Sequence, residues 1–180
     1  PLVLSSAAFY VFSYSDRWVL QLLESSESVG LYGAASRLAS IAAMLHVLSR
    51  YAFMPLVYAN YQNPETSKDI GKIFSFALVI GGLFSSLIFL FSEEIVGIVL
   101  GKEFYESSSI LGFLALSILL MNIYFFFPGL SIAKKTKHIA AISVVVAIIN
   151  LAGNFILIPI FSIKGAALSS FFASLIMVAM

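Results

Sequence analysis

Three stretches of the chain carry no charged residue over lengths that match a membrane. They are residues 73–92, 107–133 and 139–163, which are 20, 27 and 25 residues long. At about 1.5 Å of rise per helical residue, about 20 apolar residues cross the hydrocarbon core of a bilayer. Barrel strands alternate apolar and polar residues over about 10 positions. Here a run such as Ile142-Ser143-Val144-Val145-Val146-Ala147-Ile148-Ile149 is apolar on every face. The predicted element is therefore the membrane helix.

Composition carries this to the rest of the chain. Hydrophobic residues make up 61% and charged residues 11%, and the mean hydropathy is +1.02. A soluble domain has roughly 45–50% apolar and about 25% charged residues. A globule of this size could not hide the difference from water. These numbers exclude a soluble enzyme, a nucleic-acid-binding domain and a disordered segment. A net charge of +1 is too small to imply a polyanionic partner, and with no cysteine there is no thiol chemistry to consider. Nucleic acid is not an expected partner; membrane lipid is.

Charged residues cluster between the apolar runs. The pattern predicts an all-α, polytopic membrane bundle of about six helices, near 2–23, 29–58, 73–92, 107–131, 139–158 and 166–180. The second and fourth connections, 60–72 and 131–138, hold five lysines, against two in the first, third and fifth. By the positive-inside rule the second and fourth connections face the cytoplasm, as do both chain ends. The chain opens at Pro1 and is apolar from there to Met180. It therefore reads as an excerpt of a longer multi-pass protein of the cytoplasmic membrane, and any function belongs to the whole.

The first two helices form a hairpin whose turn centres near Ser26 and Glu27. Asp16 and Arg37 then lie at matching depth, about 10 residues from the turn and roughly 12–15 Å below the outer surface. Charges at that depth face a partner or a watery cavity. Two readings are open: a buried Asp16–Arg37 ion pair that fixes the hairpin, or a cavity-lining pair with Arg37 or Arg17 left to bind an anion. One acid cannot neutralise two arginines, which tilts the choice toward the cavity. Asn150 and Asn154 are four apart and share a helix face, so they contact another helix or a cavity; Asn122 is a lone similar case. Arg50 reads as snorkelling to headgroups, and His46 as a satisfied polar residue. The basic run Lys134-Lys135-Thr136-Lys137-His138 reads first as a topology signal. No phosphate-cradling glycine loop, HExxH or nucleophile elbow appears, so neither an enzyme nor a cofactor or metal is expected.

A resemblance rests on Asn150-Leu-Ala-Gly-Asn154-Phe-Ile-Leu-Ile-Pro159 followed by Ile163-Lys-Gly165-Ala166-Ala167. It extends to Ser15-Asp16-Arg17, to Val29-Gly30-Leu31-Tyr32-Gly33-Ala34-Ala35 with Arg37-Leu38 and Pro55, to Gly101-Lys102-Glu103-Phe104, and to Lys135-Thr136-Lys137. In order and spacing these resemble bacterial polysaccharide (O-antigen type) flippases of the multidrug/oligosaccharidyl-lipid/polysaccharide exporter superfamily. The resemblance covers nearly the whole chain. It implies one helical lobe, the C-terminal one, of a two-lobe transporter whose partner is an earlier lobe of the same protein. It also implies transfer of a polyprenyl-diphosphate-linked oligosaccharide by alternating access, with Arg37 and Arg17 suited to the diphosphate. Two other readings stay open. A cation-coupled multidrug antiporter of the same superfamily would want several intramembrane carboxylates, and only Asp16 is present. A non-transporting scaffold would leave Asp16, Arg17 and Arg37 without a purpose.

Overall fold

The computed structural model describes residues 1–60, 64–125 and 129–180, with some side chains between positions 42 and 77 and between 125 and 131 outside the described set. Everything described is helix or short turn. The helices are α1 (Leu2–Leu23), α2 (Ser26–Asn60), α3 (Pro64–Leu90), α4 (Ser92–Val99), α5 (Ser108–Phe125), α6 (Gly129–Ile132), α7 (Thr136–Phe161) and α8 (Ile163–Ala179). A 3-10 segment, Lys102–Ser107, joins α4 to α5.

Among the described residues, three stretches are long and apolar enough to cross a membrane: Gly71–Leu90, Lys102–Tyr124 and Thr136–Phe161. Each of the three charge-free sequence runs overlaps one of them. The other expected crossings differ in kind: α8 is apolar but spans 17 residues, while α1 and α2 carry their charges inside the helix. The third connection, residues 93–106 between the predicted helices at 73–92 and 107–131, is itself helical: α4 followed by the 3-10 segment. Glu93 and Glu94 lie in the first turn of α4, where negative charge complements the exposed N–H groups.

The helices pack in the order α2, α5, α8, α7, α1, with α3 set against α2 and α5. One core joins Leu20, Tyr32, Ala35, Ile110, Leu111, Ile158 and Ala166. A second, nearer the start of α1, joins Phe12, Val146, Ala173 and Met177. Small residues set the closest approaches, as they must where packing rather than water exclusion drives helix association. A Cβ on Gly153 of α7 would lie 2.5 Å from the Ser169 hydroxyl of α8.

The α7–α8 turn is tighter still. It consists of Ser162 alone, at φ 52° and ψ −132°. Its N–H donates to the Ile158 carbonyl at 2.7 Å, and its own carbonyl accepts from Gly165 at 2.9 Å. That closure presses Gly165 onto the Leu157 carbonyl, with no room for a methyl group. Because the obstacle is backbone, Gly165→Ala is expected to destabilise the full-length protein by about 1–3 kcal/mol. The control is Gly33→Ala, whose Cβ would meet nothing within 4 Å. A thermal scan in detergent checks both; an unchanged melting temperature for Gly165→Ala would mean that the hairpin opens at little cost.

Candidate functional site

Asp16 sits two turns before the end of α1, with 5% of its surface exposed. Its carboxylate accepts three hydrogen bonds from three other helices. Tyr32 of α2 donates its hydroxyl. Asn154 of α7 donates its amide at 2.7 Å, and Ser170 of α8 donates its hydroxyl at 2.7 Å. All three donors are neutral. No ion pair joins Asp16 to Arg37, so the hairpin-fixing pair is not what satisfies this acid.

Around the carboxylate the polar network continues. Ser15 Oγ donates to Asn150 Oδ1 at 2.6 Å, and Asn150 Nδ2 reaches Ser169 and Ser170 at 3.4 and 3.3 Å. Ser169 Oγ returns a bond to the Asn150 carbonyl at 2.8 Å. Ser117 of α5 donates to the Ser170 carbonyl at 3.0 Å and pairs with Ser174 at 2.8 Å. Ser15, Asn150 and Asn154 are 0% exposed. Buried this deeply, each of these groups needs its partner. One lacks it: Asn154 Oδ1 is buried with no hydrogen-bond partner among the described residues.

The two arginines occupy different ground. Arg17 follows Asp16 in sequence and so points about 100° away from it. It is half-buried, with its guanidinium 5.6 Å from the centre of the Tyr14 ring. Arg37 is exposed. Both line a cavity of about 530 Å³ walled by α1, α2 and the α4–α5 connection, where Leu100 and Phe104 close one side. The α2 wall is the stripe Gly30, Gly33, Ala34, Arg37, at the spacing of one helix face. A Cβ on Gly30 or Gly33 would meet nothing within 4 Å, so the missing side chains are what makes the room. A second cavity, of about 180 Å³, lies between α1, α2, α5 and α8, and Arg17 lines it too. Arginines set against a small-residue wall, with no acid among the lining residues of that larger cavity, can hold an anion such as a phosphate.

The family model for MatE matches residues 1–156. The chain belongs to the MatE family. It is similar to the probable low-salt glycan biosynthesis flippase Agl15 of Haloferax volcanii, being 29% identical over 175 residues. That alignment covers 93% of this chain and 36% of the relative, so the chain spans about a third of the length of the curated protein it matches. No solved structure matches it. As a MatE protein with several apolar helices, it is a multi-pass membrane protein of a transporter family.

Within this MatE chain the five residues singled out from sequence separate into two groups. Asp16, Asn150 and Asn154 come together in the buried network, and neither asparagine lines either cavity. Arg17 and Arg37 come together on the larger cavity. Asp16 borders the smaller one. Sequence reasoning missed Tyr32 and Ser170 as partners of Asp16, and Ser15 as a partner of Asn150 and Asn154. The available signal was the buried acid itself, which requires donors, and the hydroxyls at Ser169 and Ser170 in a largely apolar helix. Asn122 bonds to its own helix, at the Ile118 carbonyl, 2.8 Å away. Lys134, Lys135, Lys137 and His138 lie around the start of α7, with Lys134, Lys135 and Lys137 exposed. The side chains of His46 and Arg50 lie outside the described residues.

Proposed function

We propose that this chain is one lobe of a transporter that moves a polyprenyl-diphosphate-linked oligosaccharide across the cytoplasmic membrane, in the service of polysaccharide biosynthesis of the O-antigen kind. The observation that carries the reading is the larger cavity, lined by two arginines and by no acid among the described residues. A diphosphate is the anion such a surface suits, because guanidinium groups present paired donors to phosphate oxygens. Membership of the MatE family and the likeness to a glycan biosynthesis flippase support it. In the proposed assembly a second lobe of the same protein faces the cavity, and the chain crosses the membrane six times. The orientation follows from charge: Lys134, Lys135 and Lys137 lie around the start of α7, at the opposite end of the bundle from the acids of α4 and the 3-10 segment.

One observation favours a second reading, the cation-coupled antiporter. Asn154 donates its amide N–H to the Asp16 carboxylate while its Oδ1 has no partner among the described residues, which leaves a spare oxygen for a small cation near an acid. The full-length protein in liposomes separates the two. A labelled polyprenyl-diphosphate oligosaccharide is expected to reach the opposite leaflet faster than in protein-free vesicles. Exchange of an organic cation for sodium or protons, without movement of the lipid-linked sugar, would replace the first reading with the second.

A further inference from the structure

The smaller cavity differs in chemistry from the larger one that it adjoins. Its walls carry the hydroxyls of Ser13, Tyr32, Ser36, Ser40 and Ser117 over an apolar floor that includes Phe12 and Met121. Most of the hydroxyl protons are already committed. Ser13 donates to the Phe9 carbonyl at 2.9 Å, Ser40 to the Ser36 carbonyl at 2.7 Å, and Tyr32 to Asp16. Their oxygens can still accept. The hydroxyl of Ser36, a half-buried residue between them, has no hydrogen-bond partner among the described residues. Such a wall, acceptor-rich and bordered by the Asp16 carboxylate, disfavours a phosphate and is too polar for a prenyl chain. It suits a ligand that brings many O–H donors and an apolar ring face.

Size narrows the choice. At about 180 Å³ the smaller cavity has about a third of the room of the larger one, which suits a single ring rather than a chain of them. Arg17 lines both cavities, so whatever fills one adjoins whatever fills the other. In a diphosphate-linked glycan the first sugar is bonded directly to the second phosphate. We infer that the smaller cavity is the seat of that first sugar, with Ser36 and Ser40 as specificity residues and Arg17 at the junction of sugar and diphosphate. This inference rests on the diphosphate reading given above.

The test compares two probes on the full-length protein: polyprenyl diphosphate alone, and polyprenyl diphosphate bearing a single hexose. The unaltered protein is expected to bind the hexose-bearing probe more tightly. Ser36→Leu fills the cavity and is expected to weaken binding of that probe about tenfold or more, leaving the bare diphosphate unchanged. Ser40→Leu, at an exposed position, acts in the same direction and serves where Ser36→Leu does not accumulate. Arg37→Ala weakens both probes. If the serine variants weaken both probes equally, or neither, while Arg37→Ala weakens both, the sugar lies elsewhere and the inference is overturned. If Arg37→Ala changes neither, the diphosphate reading itself fails, and the sugar seat with it.

Discussion

Asp16→Ala is expected to be the most destabilising single change at the site. It removes one acceptor group and leaves three donors, on Tyr32, Asn154 and Ser170, facing each other in a buried space. Each donor left unsatisfied there costs about 1–3 kcal/mol. Re-pairing among the neighbouring serines and asparagines recovers a part, so a net loss of about 3 kcal/mol or more is the expected result. Asp16→Asn keeps one acceptor oxygen and should fall between. A thermal scan of the full-length protein in detergent, together with its level in the membrane, measures the effect. A melting temperature unchanged by Asp16→Ala would show that the carboxylate holds nothing together, and would leave it a purely functional role.

Arg37→Ala has the opposite signature. The side chain is exposed, lines the larger cavity and is not paired with Asp16, so its loss should leave membrane level and melting temperature as they were. On the proposed reading, export of a lipid-linked glycan by the full protein should fall about tenfold to a hundredfold, the worth of one charged hydrogen-bonding group at roughly 1.5–3 kcal/mol. Arg37→Lys keeps the charge but not the paired donors and should recover only part of the activity. Combining Arg37→Ala with Asp16→Ala should not restore export, because the two residues are not paired in the structure. Rescue by the double change would mean that they pair in another state of the transporter. Parallel loss of protein and export in the single variant would make Arg37 a structural residue.

How far the sequence leads depends on which physical signal each feature leaves in it. The stretches Gly71–Leu90, Lys102–Tyr124 and Thr136–Phe161 are legible because a charge-free run as long as a bilayer is wide has few stable homes outside a membrane. Asp16, Asn150 and Asn154 stand out because polar groups are scarce in such company. Their mutual bonding is not legible: the separation of Asp16 from Asn154 along the chain says nothing about which helices are neighbours. Arg37 can be placed at the depth of Asp16 by folding the hairpin about its turn, but matched depth is not contact. The rotation of α2 sends Tyr32 to the carboxylate and Arg37 to the cavity. The helical character of residues 93–106 does not show in the gap between two apolar runs, although Glu93 and Glu94 favour the first turn of a helix. The polar role of Ser36 and Ser40 is not legible, since a serine in a membrane helix is as often a small spacer as a polar wall.

The three donors to Asp16 come from three separate helices, and hydrogen bonds tolerate displacements of only a few tenths of an ångström. Sliding α2, α7 or α8 along α1 by even one residue, about 1.5 Å, would break a bond to a buried carboxylate. The carboxylate therefore acts as a register pin. It forbids shear among these four helices and leaves tilting of the group as a single body as the inexpensive movement.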